Sequence, residues 1–218
     1  MTTGENVFAR ERERMVQEQL ADRGITDARV LDALNRVPRH RFVDEGLRHR
    51  AYGDHPLPIG EEQTISQPYI VGLMTSLLQL TGREKVLEVG TGSGYQTAVL
   101  AELSRRVCSI ERLPRLADRA RRLLESMGYT NVWVRVGNGA LGWSDEAPFD
   151  RILVAAAGPS VPSPLIDQLG EGGRLVAPVG DAENQVLTLV ERRRGELTTR
   201  SVGECRFVPL VGKYAWET

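Results

Sequence analysis

The sequence predicts an α/β fold in which a mainly parallel sheet of about seven strands carries helices on both faces. Three observations predict it. From Lys85 onward, short apolar runs alternate with longer stretches of helical pattern, the spacing expected when parallel strands are joined by crossover helices. The first of those runs leads straight into a glycine-rich turn and then a helix, KVLEVGTGSGYQTAVLA over 85–101. At 218 residues the chain has ample material to bury such a core and suits one domain.

The elements follow in order. Residues 6–23 set Val7, Phe8, Met15, Val16 and Leu20 among many charges, the pattern of an amphipathic helix stopped by Gly24. A second helix is expected after Thr26 as its N-cap, burying Val30, Leu31 and Leu34 and stopping before Pro38. Residues 38–68, punctuated by Pro56, Pro58, Gly60 and Pro68, read as irregular, and 70–80 returns to helix. Strands are expected at 85–89, 107–111, 132–136, 151–156, 173–178, 185–191 and 205–211, with helices over 94–104, 114–127 and 163–169. Only GELTTRSVGE separates the last two strands, which places a hairpin at the end of the sheet. The whole reads as one Rossmann-like domain over 1–218, helical and loop-rich in 1–80 and ligand-binding in 81–218.

Composition narrows the function. The formal net charge is -1 and no basic block occurs, so nucleic-acid binding has no electrostatic footprint. The first residues, MTTGENVFARERERM, are highly charged and lack the apolar centre of a signal peptide. No run approaches the roughly 20 apolar residues that cross a bilayer. A cytoplasmic protein without membrane contact is expected, with Cys108 and Cys205 as free thiols. His40, His49 and His55 fit no metal-binding spacing, and no metal site is expected.

The glycine turn selects the cofactor. Gly90, Gly92 and Gly94 alternate, with Glu88 two residues ahead, so the backbone folds tightly and a ligand comes close to it. The helix that follows presents its positive end to that ligand. A dinucleotide turn, G-x-G-x-x-G, needs a third glycine where this chain has Tyr95; here Gly94 arrives one residue early. The pattern E-x-G-x-G-x-G resembles the first motif of the S-adenosylmethionine-dependent methyltransferases. Glu111 ends the next strand, where a carboxylate accepts both ribose hydroxyls, and Asn138 in VGNGALGW is placed to meet an adenine amine.

The acceptor is named further upstream. Gln63, Thr64, Ser66 and Gln67 gather hydroxyl and amide groups between two prolines, just ahead of the helix leading to the glycine strand. QTISQPYIV, VLEVGTGSGYQTAVLA, SIER, LGW…APFD and RFVPLVG together resemble the protein-L-isoaspartate O-methyltransferase family in its bacterial form, in the family's order from about residue 12 to residue 216. The resemblance implies methylation of the free α-carboxylate of L-isoaspartyl residues in damaged proteins and peptides, with S-adenosyl-L-methionine as donor. The ester closes to a succinimide whose hydrolysis restores some normal aspartate.

The resemblance also implies site residues. Ile65, Ser66, Glu88, Gly90, Thr91, Gly92, Ser93, Gly94, Glu111, Arg112, Asn138 and Gly139 would bind the cofactor. Thr64, Ser66, Gln67, Val208, Pro209 and Leu210 would bind substrate. Ser66 would orient the acceptor carboxylate, assisted by Thr64; alternatively Ser66 caps the helix after Pro68. An α-carboxyl has a pKa of roughly 3.3–3.7, so the nucleophile is already anionic and needs no general base or metal. The chain departs from the family at Asn138, where aspartate is usual, and at Ala155, where threonine is more common. Two alternatives stay open: a related methyltransferase that forms aspartimide in a dedicated peptide, and a cofactor-binding protein without turnover. A monomer is expected.

Overall fold

The computed structural model describes residues 3–217. Helix α1 (Thr3–Arg14) runs on through a π-helical turn, Met15–Leu20, and a 3-10 turn, Ala21–Arg23. Gly24, at φ 92°, ends it as expected. Helix α2 (Ala28–Arg36) begins one residue later than its sequence suggested: Asp27, not Thr26, is the N-cap, its carboxylate accepting from the Arg29 amide at 3.0 Å.

The region 38–68 is more ordered than its prolines implied. Two 3-10 turns, Arg39–Phe42 and Glu45–Arg50, lead into an antiparallel hairpin of β1 (Leu57–Gly60) and β2 (Gln63–Ile65). Leu57 and Ile59 alternate inward, so the hairpin has a buried face. Its turn places Glu61 and Glu62 at φ 52° and 58°, a left-handed pair that usually takes Asn and Gly and so left no signal in the sequence. Pro68 then opens α3 (Pro68–Leu78) from within its first turn, where a missing N–H costs nothing.

The central sheet comprises β3 (Lys85–Val89), β4 (Arg106–Glu111), β5 (Val132–Val136), β6 (Phe149–Val154), β7 (Leu169–Gly180), β8 (Gln185–Arg193) and β9 (Glu196–Cys205). They lie side by side in the order β5-β4-β3-β6-β7-β8-β9. The first five are parallel; β8 and β9 run antiparallel to their neighbours. Helices α4 (Tyr95–Leu103), α5 (Pro114–Ser126) and α6 (Ser163–Asp167) connect them. One strand assignment is corrected: GELTTRSVGE is not a connection but almost the whole of β9, and 205–211 is not a strand. Strand β9 is an exposed edge with no apolar alternation, so hydrophobic pattern could not reveal it. Residues 207–211 instead cross the end of the sheet, Ala157 donating to the Val208 carbonyl and Leu210 to the Ala157 carbonyl, both at 2.8 Å.

Strand alternation sends side chains into two cores. Val86, Val107, Leu153 and Val176 join the larger one with residues of the N-terminal helices and α3 to α5. Leu87, Val89, Cys108, Ile110, Ile152, Val154 and Leu175 join the other, covered by α6, the turn Gly139–Leu141 and loop residues that include Trp143, Val161, Val208 and Leu210. Helices thus occupy both faces, but very unequally. Among the described residues no helix is long and apolar enough to cross a membrane.

Candidate active site

Chain direction across the sheet reverses at β3, which feeds β4 on one side and abuts β6 on the other. Ligands of open α/β sheets bind at such a switch point, beyond the carboxyl ends of the strands. A cleft opens there. Its floor is the glycine turn and residues 155–156, its sides are Glu111–Leu113 and Gly139, and its roof is Gln63–Ser66 and Val208–Val211.

The floor owes its shape to two glycines. Gly90 sits at φ 95° and Gly92 at φ 52°, left-handed values that strain other residues. A side chain on Gly90 would also meet the Ala155 methyl at 3.4 Å. The Gly92 amide donates to Glu111 Oε2 at 2.9 Å, and the Leu113 amide donates to Oε1 at 3.0 Å. These two bonds fix the carboxylate at the end of β4. Each of its oxygens keeps a further lone pair for the cleft. A glycine floor beside an oriented carboxylate suits a ligand bearing a sugar diol. The residues present therefore fit S-adenosylmethionine.

On the opposite wall Thr64 lies in β2 and Ser66 directly follows it. Ser66 does not cap α3: the N-cap residue is Gln67, and no side chain caps that helix. Ser66 instead lines the cleft, while its carbonyl accepts from Arg39 Nη2 at 2.7 Å.

With this geometry in hand, relatives can be compared. Residues 10–215 match the family model for protein-L-isoaspartate(D-aspartate) O-methyltransferase. The chain belongs to this family. A protein-L-isoaspartate O-methyltransferase 1 of Syntrophobacter fumaroxidans is 61% identical over 210 residues, covering 96% of this chain and 98% of the relative. A protein-L-isoaspartate O-methyltransferase of Syntrophus aciditrophicus is 56% identical over 212 residues, covering 96% and 97%. Among solved structures, one protein-L-isoaspartate O-methyltransferase aligns with a TM-score of 0.82 at 29% identity, covering 90% of this chain and 65% of that one. A Plasmodium falciparum counterpart, solved with S-adenosyl-L-homocysteine, gives 0.80 at 26% identity, covering 91% and 97%. The chain is an S-adenosylmethionine-dependent methyltransferase.

Within this family member, most residues expected from the sequence converge on the cleft: Thr64, Ile65, Ser66, Gly90, Thr91, Gly92, Ser93, Glu111, Arg112, Gly139, Val208, Pro209 and Leu210 all line it. Four do not. Gly94 lies behind the turn as the N-cap of α4. Gln67 sits on the rim, its amide donating to Asp54 at 2.7 Å. Asn138 spends its side chain on the backbone, Oδ1 accepting from the Ala140 amide at 3.0 Å and Nδ2 donating to the Lys213 carbonyl at 3.3 Å. Glu88 faces the larger core with Val86, as strand alternation requires, under α4.

Glu88 is fully buried. Thr97 Oγ1 and Ser109 Oγ donate to its Oε2 at 2.5 and 2.6 Å, and the Thr91 and Ser109 hydroxyls lie 2.5 Å apart. Burial outweighs those bonds and pushes its pKa up to about 8, so the carboxyl is mostly protonated at neutral pH. It acts as a neutral strut behind the glycine turn. The structure also adds lining residues that no motif marked, chiefly Tyr95, Gln96 and Ala156. In the sequence Tyr95 marks the departure from a dinucleotide turn and both residues belong to the family-like GTGSGYQ stretch, but neither carries a ligand role there.

Proposed function

We propose that this cleft esterifies the free α-carboxylate of L-isoaspartyl residues in damaged proteins and peptides, the first step of repair through a succinimide. One observation carries the reading: the glycine turn with Glu111 on one side faces the hydroxyls of Thr64 and Ser66 on the other. Bound S-adenosylmethionine supplies a methyl group already activated on a sulfonium. Gly90, Gly92, Glu111 and Arg112 would hold that donor, and Ile65 and Gly139 would flank it. The Ser66 hydroxyl donates to one oxygen of the acceptor carboxylate and aims the other at the methyl group, with Thr64 beside it. Val208, Pro209 and Leu210 form an apolar wall that excludes water.

The acceptor is anionic without help, so positioning is the main contribution of the protein. Holding reactants in line supplies up to about 7–11 kcal/mol of the barrier reduction. Nothing in this scheme requires Gln67 or Asn138 to touch a ligand. A cytoplasmic monomer that acts on exposed, damaged segments of other proteins fits this open cleft.

Ser66→Ala tests the reading. A hydrogen bond to a charged group contributes about 1.5–3 kcal/mol, so kcat/KM for an isoaspartyl peptide falls about 10- to 100-fold. Affinity for S-adenosyl-L-homocysteine, measured by calorimetry, stays within threefold. Unchanged kcat/KM would remove Ser66 from the mechanism.

A further inference from the structure

Arg39 is the largest fully buried side chain among the described residues, 0% exposed. Burial brings its pKa down to about 10, which leaves the guanidinium charged at neutral pH, and no carboxylate is among the groups that act on it. A buried charge without a counter-ion is costly and must be met by other bonds. Here Nε donates to the Ala51 carbonyl at 2.7 Å and Nη2 donates to the Ser66 carbonyl at 2.7 Å. The guanidinium lies over the Tyr95 ring, 4.8 Å from its centre, and Phe42 packs edge-on against the same ring at 5.5 Å. Nη1 is left without a hydrogen bond.

The two ends of this contact belong to opposite sides of the cleft. Ser66 ends the acceptor loop, and Tyr95 is the first residue of α4, directly behind the glycine turn; both line the cavity. We infer that Arg39 is a positioning residue, one guanidinium tying the Ser66 carbonyl to the Tyr95 ring and so setting the separation between acceptor loop and donor turn. It does not line the cavity itself. Its effect is on the in-line geometry that methyl transfer needs, where a displacement of about 1 Å costs about 100-fold in rate. Lysine is a poor replacement, because its ammonium is a point charge without a flat face and cannot bridge both carbonyls and the ring.

The inference rests on the proposal that residues 63–66 receive the acceptor, and Ser66→Ala, measured alongside, separates the two. Arg39→Met and Arg39→Lys are purified, their folded fraction fixed by thermal melts, and kcat, peptide KM and S-adenosyl-L-homocysteine affinity measured per folded molecule. Positioning predicts kcat down about 100-fold in Arg39→Met and about 10-fold in Arg39→Lys, with partial rescue by the retained charge and cofactor affinity within threefold. A purely structural role predicts lower melting temperatures with kcat and KM unchanged per folded molecule, which would overturn the inference. Failure of both variants to fold, or loss of cofactor affinity equal to the loss of kcat, would overturn it too. If Ser66→Ala is fully active while the Arg39 variants are slow, the hydroxyl role fails and the positioning role stands.

Discussion

Glu88 and Glu111 are acidic residues near the glycine turn on the same face of the sheet, and their different places along the strands give them different work. Glu111 sits at the cleft with its carboxylate oriented by two backbone amides; Glu88 is sealed beneath α4 with two hydroxyls on one oxygen. A buried carboxyl whose pKa rises from 4.5 to about 8 makes folding pH-dependent in a definite direction. The folded state holds a proton that the unfolded chain releases above about pH 4.5. The stabilisation is therefore complete below that value and is lost as pH rises through about 8. Glu88→Gln keeps a neutral acceptor and binds no proton. Its stability relative to the parent is expected to improve by about 4 kcal/mol between pH 5 and pH 8.5, read from melts across that range. Parallel stability curves would contradict the assignment. In the sequence, the E-x-G-x-G-x-G motif marked Glu88 and the end of the next strand marked Glu111, both as ligand contacts. Both project from the same face; Glu88 is covered by α4 while Glu111 lies at the open end of β4, and that packing is not encoded in the spacing. Asn138 shows the same limit, because its partner Lys213 lies 75 residues away.

At the scale of elements, the glycine turn was fully legible and the hairpin above it was not. Three alternating glycines admit the left-handed backbone that other residues resist, so their spacing marks the turn. Gly90→Ala forces a side chain into a left-handed backbone at φ 95° and against Ala155. The expected cost is about 1–3 kcal/mol of stability by thermal melt, with S-adenosyl-L-homocysteine bound at least tenfold more weakly because the cleft floor shifts. Full affinity in the variant would show that the floor does not depend on this position. The β1–β2 hairpin, by contrast, is held from outside. Arg119 Nη2 ion-pairs with Asp44 at 2.6 Å, Arg119 Nη1 donates to the Ile59 carbonyl at 3.3 Å, and Arg115 reaches Glu61 at 3.4 Å. Two glutamates in the turn give no local signal, so tertiary clamps specify what propensity does not. Strand β9 escaped for a related reason. It is exposed along its length and defined by pairing with β8 alone.

For the molecule as a whole, the alternation of strands and helices after Lys85 predicted the parallel sheet, whereas the switch point beside the cleft emerges only from the strand order. The uneven cover of the two faces was less legible, since it depends on how 80 residues of helices and turns fold back over one side. That arrangement brings Thr64 and Ser66 over a glycine turn some 25 residues further along the chain. The last segment completes the enclosure, with Trp216 Nε1 donating to the Ala157 carbonyl at 3.1 Å and holding Val208–Val211 at the mouth. In the proposed function, a methyl donor and an anionic acceptor meet between parts of the chain that are remote in sequence. The central claim is that this meeting serves isoaspartate. Its most direct test incubates the protein with methyl-labelled S-adenosylmethionine and two peptides identical except for one isoaspartyl or aspartyl residue. Label should enter the isoaspartyl peptide alone, as a base-labile ester; label on the aspartyl peptide, or on neither despite cofactor binding, would contradict the account.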